Sequence, residues 1–310
     1  MKKSIAVISL WRDNSEHISV TLDQLNEQEK YLHDEYSFIY SFYENDSIDN
    51  TPEILSEWLK GKQGFLKSEK RGDPKWRSIP LKKRTQYMAK YRNIALEAIN
   101  NFEYDYLFVV DSDIIFNEKF LSKLIDQLDK NNNYGMITPN TTQSVPDAFN
   151  KHLDYSYFDS WALIDIEGNQ SISFSQNPFL LASDRKSWTH KLPVSVNSAF
   201  GGVALIRGGI IRENNIKWNG NDGCEHWKLC EEIRRLNFLI VVDPNIIAEA
   251  KHYKRIKSDL IRYKYDFYRL KKIHLGLSNL SIIKKIIINF NILFYLLLLK
   301  IKYFINYLLK

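Results

Sequence analysis

A chain of 310 residues that is 44% apolar and 26% charged can bury a sizeable core, which excludes a disordered or fibrous protein. Its two cysteines, Cys224 and Cys230, are too few for a disulfide framework or a four-ligand zinc site, so reduced thiols without redox chemistry are expected. The net charge of +6 is unevenly placed: residues 251–310 hold 14 Lys and Arg against 2 Asp and Glu, a net of +12, and residues 1–250 hold 29 against 35, a net of −6, which argues against nucleic-acid binding by the body and for a surface-seeking tail.

After Met1-Lys2-Lys3 the apolar run at residues 5–10 passes into charged residues and is too short for a signal peptide or anchor, so it predicts the first strand. A helix over roughly residues 15–30, a strand over 36–43 and the stretch ENDSIDNTPEIL follow. That alternation predicts a parallel sheet. Thr51 can cap a helix with Pro52 at its first position, leaving Asp46 and Asp49 in the loop at the strand's C-terminal edge, as ligand groups or as turn formers. Residues 71–84 are rich in Lys and Arg, punctuated by Gly72 and Pro74, and read as a mobile loop cationic enough to meet phosphates. A helix over residues 85–100 then carries Arg92-Asn93 toward YDYLFVVDSDIIF at residues 104–116.

The unbroken apolar run at residues 107–110 predicts a strand buried on both faces, ending in Asp111-Ser112-Asp113. Open α/β sheets bind ligands at that edge, and two carboxylates one residue apart suit a hard divalent cation that also grips a diphosphate. Further on, Asp159 stands beside Trp161, as in sites that stack sugar faces on an indole, although a plainly buried tryptophan explains the pair as well. Gly201-Gly202 permits close backbone approach to a ligand, or a bulge, before a strand at residues 203–206. Glu225-His226 opens an amphipathic helix with Trp227, Leu229, Cys230, Ile233 and Leu236 available for the core; a carboxylate at such a start also serves the helix dipole. A strand at residues 238–242 leads through Asp243-Pro244 to a second apolar run and then to Lys251-His252, where an imidazole could complete a metal site.

The last thirty residues would make a helix of about 45 Å, longer than a bilayer core, yet lysines and asparagines interrupt it and disfavour a spanning segment. On a helical projection Lys284, Lys285, Asn291, Lys302, Asn306 and Lys310 share one half-circle, and Ile283, Ile286, Ile287, Phe290, Phe294, Leu297, Ile301, Phe304, Ile305 and Leu308 the other. This predicts a helix lying in the plane of an anionic membrane, with a dimerisation helix as the rival.

The acidic ENDSIDNT turn, the Arg-Asn helix and the strand ending in DSD resemble nucleotide-sugar glycosyltransferases of the GT-A fold. More narrowly, YFDSWALIDIEG at residues 157–168, NSAFGGVALI at 197–206 and CEHWKLCEEIRRLNF at 224–238 resemble the fungal capsule-associated α-1,3-mannosyltransferase family and its bacterial relatives. The resemblance spans residues 5–253 and implies a sugar-nucleotide donor, Mn²⁺ at the DSD and transfer with retention. It does not extend to the N-terminal membrane anchor usual in the fungal enzymes, so compartment and acceptor do not follow from it.

The expectation is therefore an α/β chain: a GT-A domain of mixed, mostly parallel sheet flanked by helices over residues 1–255, and a basic, amphipathic, membrane-associating tail over 256–310. Asp111, Asp113 and His252 are expected to hold Mn²⁺ or Mg²⁺. Arg12, Asp46 and Arg92 are expected to bind the nucleotide, Asp159, Trp161, Gly201 and Gly202 to line the sugar side, and Glu225 to be the catalytic carboxylate. GDP-mannose is the favoured donor, with a UDP-sugar as the alternative, and the acceptor is a glycan or lipid-linked glycan at the cytoplasmic face of a membrane. An inverting transferase with a carboxylate base, and a membrane-tethered sugar-binding or inactive relative, are the competing readings. A nucleotidyltransferase is disfavoured because no early glycine-rich phosphate loop is present.

Overall fold

The computed structural model describes residues 2–76, 81–146, 153–172 and 175–251, together with scattered positions from 286 to 301. Strand β1 (Lys3–Trp11) is followed by helix α1 (Ile18–Leu32), β2 (Tyr36–Asn45), α2 (Thr51–Trp58), β3 (Gly64–Glu69), α3 (Lys82–Glu97) and β4 (Tyr106–Val110). The second half contributes β5 (Ile114–Ile115), α4 (Phe120–Lys130), β6 (Tyr134–Pro146), β7 (Leu153–Tyr157), α5 (Ala182–Thr189), β8 (Val194–Val196), β9 (Val203–Arg207), α6 (Gly208–Glu213), α7 (Glu225–Arg235) and β10 (Leu239–Ala250). The main sheet runs β3-β2-β1-β4-β9-β6-β10-β5, with β7 on β6 and β8 on β10.

Alternation along the strands places the core on both sides of this sheet. In β1, Ile5 and Val7 pack into the layer that holds Leu22, Leu25, Leu121 and Leu124 of α1 and α4. Ala6 and Ile8 face the opposite layer, with Ala89 and Ala95 of α3 and Leu229 and Ile233 of α7. A strand covered on both faces has no polar side to spare, which is why β4 is apolar throughout and completely buried. Parallel pairing puts Ile5 beside both Phe38 and Tyr106, so β1, β2 and β4 end at one edge.

Several sequence expectations need adjustment. Thr51 is the first residue of α2 rather than its cap, and its hydroxyl accepts the Asn14 N–H at 2.8 Å. The apolar runs on either side of Asp243-Pro244 are a single strand, in which a bulge shifts the register from Asp243↔Pro139 to Ile247↔Asn140. Leu236 is 37% exposed, since α7 ends one residue before it. β9 runs antiparallel to β4 because the chain enters it from the C-terminal edge, where the Asp111 N–H already bonds to Gly202 O at 2.8 Å.

Among the described residues no helix is long and apolar enough to cross a membrane. Ile286, Ile287, Phe290, Leu293, Leu297 and Ile301 are each at least 45% exposed. Most of the expected in-plane helix, including Lys284, Lys285, Lys302, Asn306 and Lys310, lies outside the described residues.

Candidate active site

The chain lays down β1, β2 and β3 outward and then returns to place β4 on the other flank of β1. Such a reversal opens a crevice beyond the carboxyl ends of β1 and β4. Arg12 follows β1, Asp46 follows β2 and Asp111 follows β4, so the topology brings all three to this edge. The DSD is fastened from several directions. Its Ser112 carbonyl accepts from Thr21 Oγ1 at 2.7 Å, and Ala250 pairs with Ile114. The Lys251 N–H bonds to Asp113 O at 2.9 Å. His252 lies outside the described residues, but its predecessor is thus hydrogen-bonded to the second aspartate.

Arg92, on α3, is 4% exposed and ties two of the predicted carboxylates together. Its Nη2 donates to Asp111 Oδ1 at 2.8 Å, its Nε lies 3.9 Å from Glu225 Oε1, and its guanidinium sits 4.7 Å from the centre of the Phe200 ring. Burial works against a charge here, but Asp111 and Glu225 outweigh it and hold the Arg92 pKa above its ordinary value. Arg92 Nε and Nη1 have no hydrogen-bond partner among the described residues. Buried donors of this kind are rare in finished interiors, and ligand oxygens are natural partners for them.

Asp113 is pushed up to about 7, chiefly by burial and then by the charge of Asp111. Burial likewise lifts Asp159 to about 6, with the charges of Glu225 and Asp111 adding to it and the Ala162 N–H opposing it. Arg92 meets Asp111 and Glu225, the carboxyl of Asp113 feels the charge of Asp111 and that of Asp159 the charges of both, a gathering of carboxyl groups that suits a bound cation. Asp111 and Asp113 supply hard oxygen donors of the kind Mn²⁺ or Mg²⁺ takes, usually alongside substrate phosphates rather than an all-protein cage. Among the described residues no group of three or more His, Cys, Asp or Glu is placed to hold a metal.

Gly201 and Gly202 adopt left-handed φ values of 67° and 75°. A Cβ on Gly202 would meet Ile114 Cδ1 at 2.4 Å, and one on Gly201 would meet Thr141 Oγ1 at 2.9 Å. Their smallness lets the turn press against the DSD segment. Asp159 and Trp161 stand on the α3/α7 side, where the Arg84 guanidinium lies 5.8 Å from the centre of the Trp161 ring and Trp227 Nε1 donates to the Trp161 carbonyl at 3.3 Å.

Arg12 and Asp46 both bond to the backbone at the start of the cationic stretch. Asp46 accepts the backbone N–H groups of Arg71, Gly72 and Asp73 at 2.6, 2.7 and 3.0 Å. Arg12 donates to the carbonyls of Asp73 and Pro74 at 2.9 and 3.1 Å. The beginning of the cationic stretch, expected to be mobile, is therefore clamped to the crevice edge, because a carboxylate with three converging N–H donors makes a strong local anchor. Phe200 and Trp218 also line this region, and neither carries a signal of that role in its residue type alone. Phe200 stands directly before the paired glycines, and that adjacency was the one available signal for it.

The sequence profile of the family described as Cryptococcal mannosyltransferase 1 matches residues 4–234. Among solved structures, the mannosyltransferase PcManGT from Pyrobaculum calidifontis, in complex with GDP-Man and Mn²⁺, superposes with a TM-score of 0.51 at 14% identity, covering 87% of this chain and 63% of that one. The 1–349 fragment of S. aureus TarS superposes with a TM-score of 0.48 at 17% identity, covering 94% of this chain and 71% of that one. The chain thus spans less than two thirds of PcManGT, and at this identity the likeness is one of fold: a mixed α/β sheet of the GT-A type flanked by helices. No protein of curated function matches the chain significantly in sequence.

Proposed function

Because the chain belongs to the Cryptococcal mannosyltransferase 1 family, a family of glycosyltransferases, we propose that it is a metal-dependent hexosyltransferase that moves mannose from GDP-mannose to a glycan or lipid-linked glycan with retention at the anomeric carbon. The observation that carries this reading is the meeting of Asp111, Arg92 and Glu225 at the crevice edge, with Arg92 within 2.8 Å of the first and 3.9 Å of the last. Asp111 and Asp113 would hold Mn²⁺ or Mg²⁺, with His252 as a third ligand. Bound there, the cation supplies neutralisation of the diphosphate that departs when the sugar leaves.

The chain's own groups do the rest. Arg92 keeps its charge and offers its unpaired N–H groups to donor phosphate oxygens, the largest electrostatic demand of the transfer. Arg12 and Asp46 shape the nucleotide side through the residue 71–74 segment they hold. Asp159, Trp161 and the Gly201-Gly202 turn line the sugar side. Glu225, buried at the first position of α7, faces the reacting carbon without touching the metal.

A panel of sugar nucleotides incubated with and without Mn²⁺ tests the reading. Mn²⁺-dependent release of GDP from GDP-mannose is expected. If no sugar nucleotide is consumed under either condition, the chain is a sugar-binding or inactive relative. Glu225→Gln is expected to lower kcat by about 100-fold while donor KM and metal affinity stay near their starting values, since a transition-state contact is lost without a ground-state one. An α product is expected from the α-linked donor; a β product would recast Glu225 as a general base.

We assign the tail to an anionic membrane at the cytoplasmic face, on the strength of its +12 charge and its exposed apolar positions. A chain ending near residue 278 is expected to retain donor hydrolysis and to stop sedimenting with phosphatidylserine liposomes. Unchanged sedimentation of the truncated chain would remove the tail from the binding surface.

A further inference from the structure

The first turn of α7 buries a second polar group beside Glu225. His226 is 2% exposed, and its ring lies nearly parallel to that of Phe200, with centroids 3.7 Å apart and planes 15° from parallel. The Trp218 indole nitrogen stands 3.3 Å from His226 Nδ1. An indole N–H can only donate, so Nδ1 must present its lone pair, and the proton of the neutral imidazole sits on Nε2. Burial first, then the charges of Arg92 and Arg84, hold the imidazole well below its usual range and keep it neutral.

That Nε2–H has no hydrogen-bond partner among the described residues. Glu225 Oε1 lies 3.7 Å from it, and the same oxygen is 3.9 Å from Arg92 Nε, which is unpartnered too. Both distances exceed a hydrogen bond, and a movement of Glu225 Oε1 by about 0.8 Å toward the imidazole would close one of them. Two buried, unpartnered donors thus lie within 4 Å of one carboxylate oxygen, near enough for a small shift of that carboxylate to satisfy one of them.

We infer that His226 is a positioning residue: its Nε2–H, fixed in place by the Trp218 indole, holds Glu225 Oε1 when the donor sugar is bound and so aims the other carboxylate oxygen at the reacting carbon. The inference rests on the hexosyl-transfer reading. A ring that served only to pack on Phe200 would be replaced best by phenylalanine. A ring that serves as a donor would be replaced best by glutamine, whose amide N–H reaches the Nε2 position, and poorly by asparagine, whose amide reaches the Nδ1 position.

The test measures steady-state kinetics of GDP-mannose turnover for His226→Gln, His226→Asn and His226→Phe, with side-chain ¹⁵N NMR of His226 in the unsubstituted protein. Phe and Asn are expected to lower kcat about 10- to 100-fold with donor KM held within about twofold, and Gln to recover most of the loss. The spectrum is expected to show Nε2 protonated and Nδ1 bare from about pH 5 to about pH 9, across the range in which an ordinary histidine titrates. An Nδ1-protonated ring, or a Phe variant faster than the Gln variant, overturns the role of His226 alone. A parent protein that turns over no sugar nucleotide overturns the transfer reading and this role with it.

Discussion

Asp113→Asn is expected to reduce metal-dependent turnover by about 1000-fold, the scale of the several kcal/mol a bound cation contributes to a transition state, while the metal-free protein unfolds no more easily than before. The second half follows from the aspartate's surroundings: burial and the neighbouring Asp111 charge raise it to about 7 in the folded chain from the ordinary 3.8. Between those two values the folded state holds a proton that the unfolded state has released. Stability of the metal-free protein therefore falls as pH rises through that window and levels off above about 7. Asparagine carries no such proton, so this contribution to the slope disappears in the variant. A cation must displace the same proton, so apparent metal affinity in the parent weakens as pH drops below about 7. Thermal unfolding in chelator from about pH 4 to about pH 8, beside metal titrations over the same range, measures both. Full activity in Asp113→Asn, or metal-independent activity in the parent, would remove the metal from the DSD.

Arg92→Met is expected to destabilise the fold by about 3–5 kcal/mol, the range for removing one partner of a buried ion pair. Both Asp111 and Glu225 lose their opposing charge, and Glu225 is 6% exposed at its side chain, so water replaces the lost partner poorly. Neutralising one of the two carboxylates should give part of the loss back. Arg92→Met combined with Asp111→Asn is therefore expected to unfold at a higher urea concentration than Arg92→Met alone. Arg92→Lys should not restore the parent, because a point charge cannot span two carboxylates as a planar guanidinium does. A loss below about 1 kcal/mol in Arg92→Met would mean that the pair is solvated and weak.

Much of the architecture could be read along the chain, because burial repeats locally. The apolar run at residues 5–10 announces a strand and that at residues 107–110 a strand covered on both faces, and Ile5–Ile8 and Leu107–Val110 are buried in the sheet centre. The position of Asp111 and Asp113 at a strand's end follows from the run at residues 107–110, and the start of α7 at Glu225 from the amphipathic spacing after it. The GT-A fold rested on the order of these segments, and the sheet bears it out. Partners across the sheet could not be read this way. That Arg92 joins Asp111 to Glu225, and that Trp218 fixes the His226 ring, depends on α3 and α7 lying against one another over the same face. The place of Asp46 at the edge is legible in the turn that follows its strand, but that Asp46 and Arg12 together hold the segment at residues 71–74 is not. Apolar periodicity determines which face of an element is buried, because transfer from water depends on the residue alone. A polar side chain's bond depends on the distance and angle to one particular group, and the crossing of elements distant in sequence sets these.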